Sequence, residues 1–229
     1  MEHGGTGRVV LRDGPHDGIV TLTLNRPDRK NALSIAVRDE MSAHLDDLAR
    51  DDEVKVVVVT GAGDAFSAGF DLAEFASDDP AVIAGLWPSS DRFHDAVMRF
   101  PLPTVAAVNG VALAGGFDLA VLCDVRVAAR SAVFAHPEHA FGDVVYAPLH
   151  DLVGGAVARD LCLTGRRVDA EEALRLGLVT RVVDDADLAS AAAAVAADIA
   201  AAPRELLVRT KAKVLARLDI PPGTRTLDL

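Results

Sequence analysis

The chain reads TVAAVNGVALAGGFDLAV over residues 104–121, and this stretch indicates the fold. Residues 104–108 are almost all apolar, and several are β-branched, as expected of a strand that is covered on both faces. The Asn-Gly pair at 109–110 interrupts the run, and a helix is predicted to begin near residues 114–116. A strand, a glycine-bearing turn and a helix in this order are typical of an α/β protein.

The same order of elements recurs along the chain. Apolar residues and threonines alternate over residues 20–24, which is the period-two pattern of a half-buried strand. Ser34 is expected to cap a helix, and the apolar run 54–59 is expected to form a central strand. Further strands are predicted at 125–128 and 132–135. Strands that alternate with helices predict a parallel sheet with crossover connections.

The last part of the sequence differs from the rest. A strand pattern at 179–183 is followed by an alanine-rich stretch over 187–202 and by a second stretch over 204–218, and both have strong helix propensity. No long linker separates these stretches from the preceding part. We therefore predict a core over residues 1–185 and a helical C-terminal part over residues 186–229.

Length and charge exclude several classes of protein. A chain of 229 residues fits one large domain, and its net charge of −11 argues against nucleic acid as a partner, because phosphate binding depends on clustered Lys and Arg.

The apolar run 105–123 contains Asn109, Asp118 and glycines, so we interpret it as buried core and expect no membrane span. Residues Met1 to Gly5 lack the basic and apolar segments of a secretion signal, so we expect a cytoplasmic protein.

Three short motifs resemble functional sites of other protein classes, and each departs from the required pattern at one position. Residues 61–66 begin like a dinucleotide fingerprint, but Phe66 occupies the third position, where close helix packing needs a small residue. Ser67 lacks the first glycine of a nucleophile elbow. In the segment 136–139, His-Pro-Glu-His, Pro137 prevents the helical spacing that would align two imidazoles on a metal ion. We interpret these histidines as structural or loop residues and expect no metal site.

Two glycine-bearing turns remain, one over residues 66–72 and the other over residues 109–118, and each follows a buried strand. Glycines allow the main chain to approach a ligand closely and leave backbone N–H groups free to point at it. The carboxyl groups of Asp118 and Glu138 add the capacity for proton transfer near such amides. Taken alone, each turn is equally consistent with an ordinary tight turn, and chemistry alone favours a solvated surface group for each acid.

In order, spacing and composition these segments resemble the enoyl-CoA hydratase/isomerase (crotonase) family from about Ile19 to about Val183. The segments that carry the resemblance are Leu24-Asn25-Arg26-Pro27, Lys30-Asn31-Ala32-Leu33, residues 66–72, residues 108–119 with Cys123-Asp124, and His136-Pro137-Glu138. Each motif is weak alone, and their common order makes the signal strong. The resemblance implies a crotonase-like ββα spiral core with a helical C-terminal appendage.

The resemblance also implies an activity, which is the addition of water across the 2,3 double bond of an enoyl-CoA. The backbone amides of Phe70 and Gly115 would stabilise the thioester enolate, and Asp118 and Glu138 would move protons. The residues expected to bind the coenzyme A moiety are Arg29, Lys30, Ala32, Ala68, Phe70, Asp71 and Leu72. No metal and no cofactor beyond the coenzyme A of the substrate are expected, and the resemblance suggests a homotrimer or a hexamer.

Three departures from the family pattern leave alternatives open. Aspartate stands at position 118, where hydratases of the family usually have glutamate, and residues 143–150 lack the family's common glycine-rich stretch. The part over residues 186–229 is shorter than is usual for the family. A (di)enoyl-CoA isomerase and an acyl-CoA-binding homologue without catalytic activity are therefore the competing interpretations.

Overall fold

The computed structural model describes residues 7–229. The segment from Met1 to Gly5, on which the expectation about secretion rests, lies outside the described residues. The strands are β1 (Val10–His16), β2 (Ile19–Leu24), β3 (Val56–Gly61), β4 (Ala65–Ser67), β5 (Thr104–Val108), β6 (Val111–Leu113), β7 (Val125–Ala129), β8 (Val133–Ala135), β9 (Val168–Asp169) and β10 (Arg181–Val183).

The helices are α1 (Ile35–Arg50), α2 (Leu72–Phe75), α3 (Pro80–Met98), α4 (Gly115–Leu122), α5 (Ala147–Val153), α6 (Gly155–Thr164), α7 (Ala170–Arg175), α8 (Leu188–Ala200) and α9 (Arg204–Leu215). Ser34 caps α1 as predicted, because its side chain accepts a hydrogen bond from the amide of Val37. Short 3-10 turns lie at Pro137–Ala140 and Thr226–Asp228. Among the described residues, no helix combines the length and the apolar composition needed to cross a membrane.

The strands form two sheets that the chain visits in turn. The larger sheet has the order β1-β2-β3-β5-β7-β10, and the smaller has the order β4-β6-β8-β9. From β2 to β10 all neighbours in the larger sheet are parallel, as the alternation of strands and helices predicts. The pairs β3 and β4, β5 and β6, and β7 and β8 each place one strand in each sheet. The predicted α/β spiral of ββα units is therefore confirmed.

The central strand β3 is buried on both faces. Val57 and Val59 point into the main core, whereas Val56 and Val58 point into a second cluster on the other face of the sheet. Apolar residues of α8 complete this second cluster: Leu188, Ala192, Val195, Ala196 and Ala200. The β-branched run therefore has apolar partners on both sides, as expected of a central parallel strand.

The sequence predicts strand β2 but not strand β1, so the hairpin that these two strands form was not expected. Gly14 and Pro15 lie inside β1, and such residues ordinarily indicate a turn. The strand tolerates them because it lies at the edge of the sheet, where proline need not donate a ladder hydrogen bond. Strand bounds differ by two residues elsewhere, since β3 begins at Val56 and β10 at Arg181.

Helix α4 is the element that both sheets position for the site. It starts directly after β6 of the smaller sheet and ends before β7 of the larger sheet. The buried guanidinium of Arg126 donates hydrogen bonds to the carbonyl groups of Ala120, Val121 and Cys123, which belong to the last turn of α4 and its cap. A cation at this end satisfies carbonyls that lack helical partners and interacts favourably with the helix dipole.

Candidate active site

A cavity of about 570 Å³ opens where the two glycine-bearing turns meet. Its walls come from the first turn, α3, the N-terminus of α4, the loop after β8 and the 3-10 turn at Thr226. The lining residues are Ala68, Phe70, Leu72, Phe75, Trp87, Ala114, Gly115, Asp118, Pro137, Glu138, Phe141, Gly142, Asp143, Val145, Thr226 and Leu227. The volume is that of a small-molecule site, and the walls are mainly apolar with a few polar groups.

The two turns pack against each other so closely that glycine is required. Gly69 has φ +87°, and a Cβ there would lie 2.7 Å from the Cβ of Ala114 and 3.2 Å from the amide nitrogen of Gly115. A Cβ on Gly116 would lie 2.5 Å from the carbonyl oxygen of Ser67. Because such distances are shorter than van der Waals contact, the absence of side chains is what allows the turns to meet.

This packing leaves two backbone amides without acceptors. Within the described residues, neither the N–H of Phe70 nor that of Gly115 donates a hydrogen bond to the protein. Gly115 is the first residue of α4, where the partial positive charge of the helix dipole is concentrated. The preceding Ala114 has φ 49° and ψ −130°, a strained conformation for alanine of the kind that is found at functional sites. Two such amides can hold an oxygen atom that carries negative charge.

The side chain of Phe70 lies at the edge of the cavity between a buried cation and two partly exposed rings. The guanidinium carbon of Arg38 lies 4.4 Å from the centre of the Phe70 ring, in the geometry of a cation–π contact. Phe70 also stacks on Phe75, which contacts Trp87 edge to face. These rings give the cavity an apolar wall that continues from the amides toward the surface.

The two predicted acids meet at one buried imidazole. Asp118 lies one helical turn beyond Gly115 and is 5% exposed. Its two carboxylate oxygens lie 3.9 Å from the Nε2 atoms of two histidines, Oδ1 from His136 and Oδ2 from His94. Glu138 binds the other nitrogen of the same His136, with 2.9 Å between Oε1 and Nδ1. The second oxygen of Glu138, Oε2, is buried and has no hydrogen-bond partner among residues 7–229.

The environment of His136 contains opposing influences on its pKa. Burial is the largest, and it lowers the pKa because it penalises the cation. The hydrogen bond with Glu138 and the charges of Asp118 and Glu138 act in the other direction and outweigh burial, so the pKa is raised. Burial and the same two negative charges raise the pKa of the nearby Cys162 thiol to about 11, so this thiol stays protonated at neutral pH.

Two histidines of this site are not identified as functional candidates by the sequence. His94 belongs to no sequence motif. It follows Phe93 on the buried face of α3, and a polar residue on a buried helix face is a signal that can indicate a functional residue. His136, which the sequence indicates as a structural or loop histidine, is fully buried, and its ring contacts Glu138. The end of the chain also contributes, because the Thr226 hydroxyl lies 2.9 Å from that of Ser90 and 3.3 Å from Nδ1 of His94.

The residues expected to bind coenzyme A divide into two groups. Ala68, Phe70 and Leu72 line the cavity, whereas Arg29, Lys30, Ala32 and Asp71 do not. The turn at residues 30–33 nevertheless lies directly beside the first glycine-bearing turn, since the Ala68 amide donates to the carbonyl of Lys30 and the Leu33 amide donates to that of Gly69.

The side chains in the second group have different surroundings. The Nζ of Lys30 lies 2.6 Å from a carboxylate oxygen of Asp64 in an exposed ion pair. Asp71 caps α2 and pairs with Arg26 at 2.8 Å, so its carboxylate is already bound. Ala32 is buried, and its carbonyl accepts a hydrogen bond from Arg26. Arg29 is exposed and makes no ion pair within the described part of the chain.

Comparison with known proteins gives matches over nearly the whole chain. The model of the family "Enoyl-CoA hydratase/isomerase" matches residues 14–229. A probable enoyl-CoA hydratase from Mycobacterium tuberculosis is 39% identical over 233 residues, which cover 96% of this chain and 85% of the relative.

Solved structures of similar proteins also superpose on this chain. An enoyl-CoA hydratase from Bacillus anthracis superposes with a TM-score of 0.87 at 31% identity, covering 93% of this chain and 84% of its own. A monofunctional enoyl-CoA isomerase from Mycobacterium smegmatis superposes with a TM-score of 0.80 at 35% identity, covering 93% of this chain and 95% of its own. Similar proteins therefore include both activities.

Replacing Gly116 with alanine tests the close packing of the two turns. Alanine inside a helix ordinarily stabilises by about 1 kcal/mol relative to glycine. Here the new Cβ would lie 2.5 Å from the carbonyl oxygen of Ser67, so the turns would have to separate. We expect Gly116→Ala to lower the free energy of unfolding by about 1–3 kcal/mol in urea denaturation.

Gly85→Ala is the matched control, because Gly85 also lies inside a helix and a Cβ there would meet only the end of the Ile35 side chain at 3.4 Å. This variant should gain up to about 1 kcal/mol. Equal stabilisation by both substitutions would contradict the tight contact between the turns.

Proposed function

Because the chain belongs to the enoyl-CoA hydratase/isomerase family, we propose that it is an enoyl-CoA hydratase, which adds water across the 2,3 double bond of an enoyl-CoA. The observation that carries this proposal is that Asp118 and Glu138 line the same cavity as the two unpaired amides. Hydration requires an oxygen-binding site for the thioester and carboxylates that hold and deprotonate a water molecule. The cavity contains groups suited to both tasks.

The amides of Phe70 and Gly115 act on the thioester oxygen. When water attacks Cβ, negative charge moves through the conjugated system onto this oxygen and an enolate forms. Two preorganised N–H donors, with the N-terminus of α4 behind one of them, stabilise this charge at the moment it develops. Loss of one such donor typically slows a reaction by about 10²–10³-fold.

The two carboxylates hold the water, and Glu138 moves its proton. In this mechanism Asp118 and Glu138 each accept a hydrogen bond from the water. As the oxygen bonds to Cβ, Glu138 takes one proton from the water and passes it to Cα of the enolate. One hydroxyl and one proton are added to the substrate, and both acids finish in the state in which they began. The Oε2 atom of Glu138 supports this role, because it is buried and no group in the described part of the chain occupies it, so it is available to bind the water.

A second candidate is isomerisation, the transfer of a double bond between the 3,4 and 2,3 positions. The observation that favours it is the setting of Asp118, whose side chain is buried and whose two oxygens both face histidine nitrogens at 3.9 Å. In that reaction Glu138 alone carries a proton from one carbon to another. A binding protein without catalytic activity is the third alternative, although two buried acids beside the amides have no evident purpose in it.

The resemblance further supports coenzyme A binding along residues 30–33 and 68–72, and assembly as a homotrimer or a hexamer. Ala68, Phe70 and Leu72 would contact the substrate near the thioester, since they line the cavity. Arg29 and Lys30 would lie farther along the coenzyme, where their charge offsets part of the phosphate charge on an otherwise acidic protein.

The acid/base assignment is tested with Glu138→Gln and Asp118→Asn, which retain the shape of each side chain. Crotonyl-CoA reports hydration by loss of the conjugated thioester absorbance, and a 3-enoyl-CoA reports isomerisation by its appearance. A hydratase should lose at least about a hundredfold in kcat with either variant, while acyl-CoA affinity changes little.

The two substrates separate the alternatives. If Asp118→Asn leaves double-bond transfer largely intact and wild type does not hydrate crotonyl-CoA, the protein is an isomerase. If wild type converts neither substrate, the proposal of catalysis is wrong.

The basic anchor is tested by calorimetry of coenzyme A binding at low salt. Arg29→Ala and Lys30→Ala should each weaken binding about two- to fivefold, as expected for exposed charges. Asp64→Asn is the matched control and should change the affinity in the opposite direction. It releases Lys30 from its ion pair, so it should strengthen coenzyme A binding by a similar factor. Unchanged affinity in all three variants would exclude these side chains as anchors.

A further inference from the structure

The ring of His136 bridges the two carboxylates of the site. Its Nδ1 lies 2.9 Å from Oε1 of Glu138, and its Nε2 lies 3.9 Å from Oδ1 of Asp118. Within the described residues Nε2 has no hydrogen-bond partner. A neutral imidazole carries one N–H and one lone pair, so it would present a lone pair to one of the two acids. Only the imidazolium presents an N–H to both.

Within the described residues, His136 is the one basic side chain that contacts both acids, whereas His94 contacts Asp118 alone. The residues that line the cavity include no Lys and no Arg. Asp118 and Glu138 have side chains that are only 7% and 14% exposed, and two buried carboxylates are expensive to ionise together without a cation. The proposed hydration mechanism nevertheless requires both acids to be ionised when the water binds.

We propose that His136 is an imidazolium at neutral pH and is the buried counter-ion that keeps Asp118 and Glu138 ionised together. This inference rests on the proposed function and identifies His136 as a positioning residue, which acts through the two acids and not on the substrate. The distance of 3.9 Å between Nε2 of His136 and Oδ1 of Asp118 exceeds the length of a hydrogen bond by about 1 Å, so this contact is electrostatic.

The groups around His136 agree with this charge state. Glu138 on its own turn and Asp118 on α4 are both acids, and Cys162 on α6 remains a neutral thiol. The imidazole of His94 on α3 lies on the far side of Asp118, where its Nδ1 donates to the carbonyl oxygen of Ser90 at 2.9 Å. The raised pKa of His136 follows from the same arrangement, in spite of its complete burial.

The kinetic test is the pH dependence of kcat/KM for His136→Gln, which retains a donor for Glu138 and removes the charge. Without the cation, the two carboxylates bind a proton more tightly, so full ionisation requires a higher pH. We expect the acid limb of the profile to move to higher pH by about one pH unit, so that activity lost at acidic pH is regained as the pH rises. His136 as a merely structural residue would lower activity by the same factor at every pH.

His139→Gln is the matched control, because it removes an exposed imidazole that, within the described residues, pairs with neither acid and hydrogen-bonds only to the carbonyl of His136. Its profile should keep the wild-type acid limb. An equal shift in both variants would contradict the proposal, as would a parallel loss of activity in His136→Gln at all pH values.

A second measurement does not depend on activity and separates this inference from the proposed function. Titration by nuclear magnetic resonance gives the pKa of the His136 ring, which is assigned by its absence from His136→Gln. In wild type the pKa should exceed the ordinary value of about 6.5. It should fall both in Glu138→Gln and in Asp118→Asn. If Asp118→Asn leaves it unchanged, or if the wild-type ring is neutral at pH 7, His136 is not the shared counter-ion, whether or not the protein hydrates an enoyl-CoA.

Discussion

The contact between two glycine-bearing turns is the constraint on which the rest of this structure depends. Gly69 and Gly116 allow backbone to meet backbone at distances that a single Cβ would prevent. The result is a pair of amides, from Phe70 and Gly115, that belong to different turns and face a common space without acceptors of their own. Gly69 lies just after β4 and Gly116 just after β6, two strands of the smaller sheet, so the spiral of the chain brings together two segments that are distant in sequence.

The charges of the site follow from this arrangement. Helix α4 directs its N-terminus to the cavity and places Asp118 one turn further, in a buried position. Burial makes that carboxylate dependent on compensation, and the imidazoles of His94 and His136 lie on either side of it. Glu138 joins this group of ionisable side chains through its hydrogen bond with His136. The apolar wall formed by Phe70, Phe75 and Trp87 belongs to the same cavity, in keeping with a substrate that has both an apolar and a charged part.

Much of the fold could be predicted from the sequence because its signals are local. The run at residues 56–59 and the cap at Ser34 define their elements without reference to the rest of the chain, and the structure confirms both. The edge strand β1 was not predictable in this way, since Gly14 and Pro15 indicate a turn unless the position at the sheet edge is known. The catalytic roles of Asp118 and Glu138 came from the family resemblance and stay predictions. The histidines beside them depend on contacts between α3, α4 and the loop after β8, and no spacing in the sequence reports such contacts.

The central claim is that the amides of Phe70 and Gly115 together polarise the carbonyl of a bound thioester. The most direct test is the absorbance spectrum of 2,4-hexadienoyl-CoA, a conjugated dienoyl thioester, in complex with the protein. If both amides donate to the thioester oxygen, electron density moves toward that oxygen and the absorbance maximum should shift to longer wavelength on binding. A ligand that binds with an unchanged spectrum would contradict the account, because the amides would then be unpaired for a reason other than holding an oxyanion.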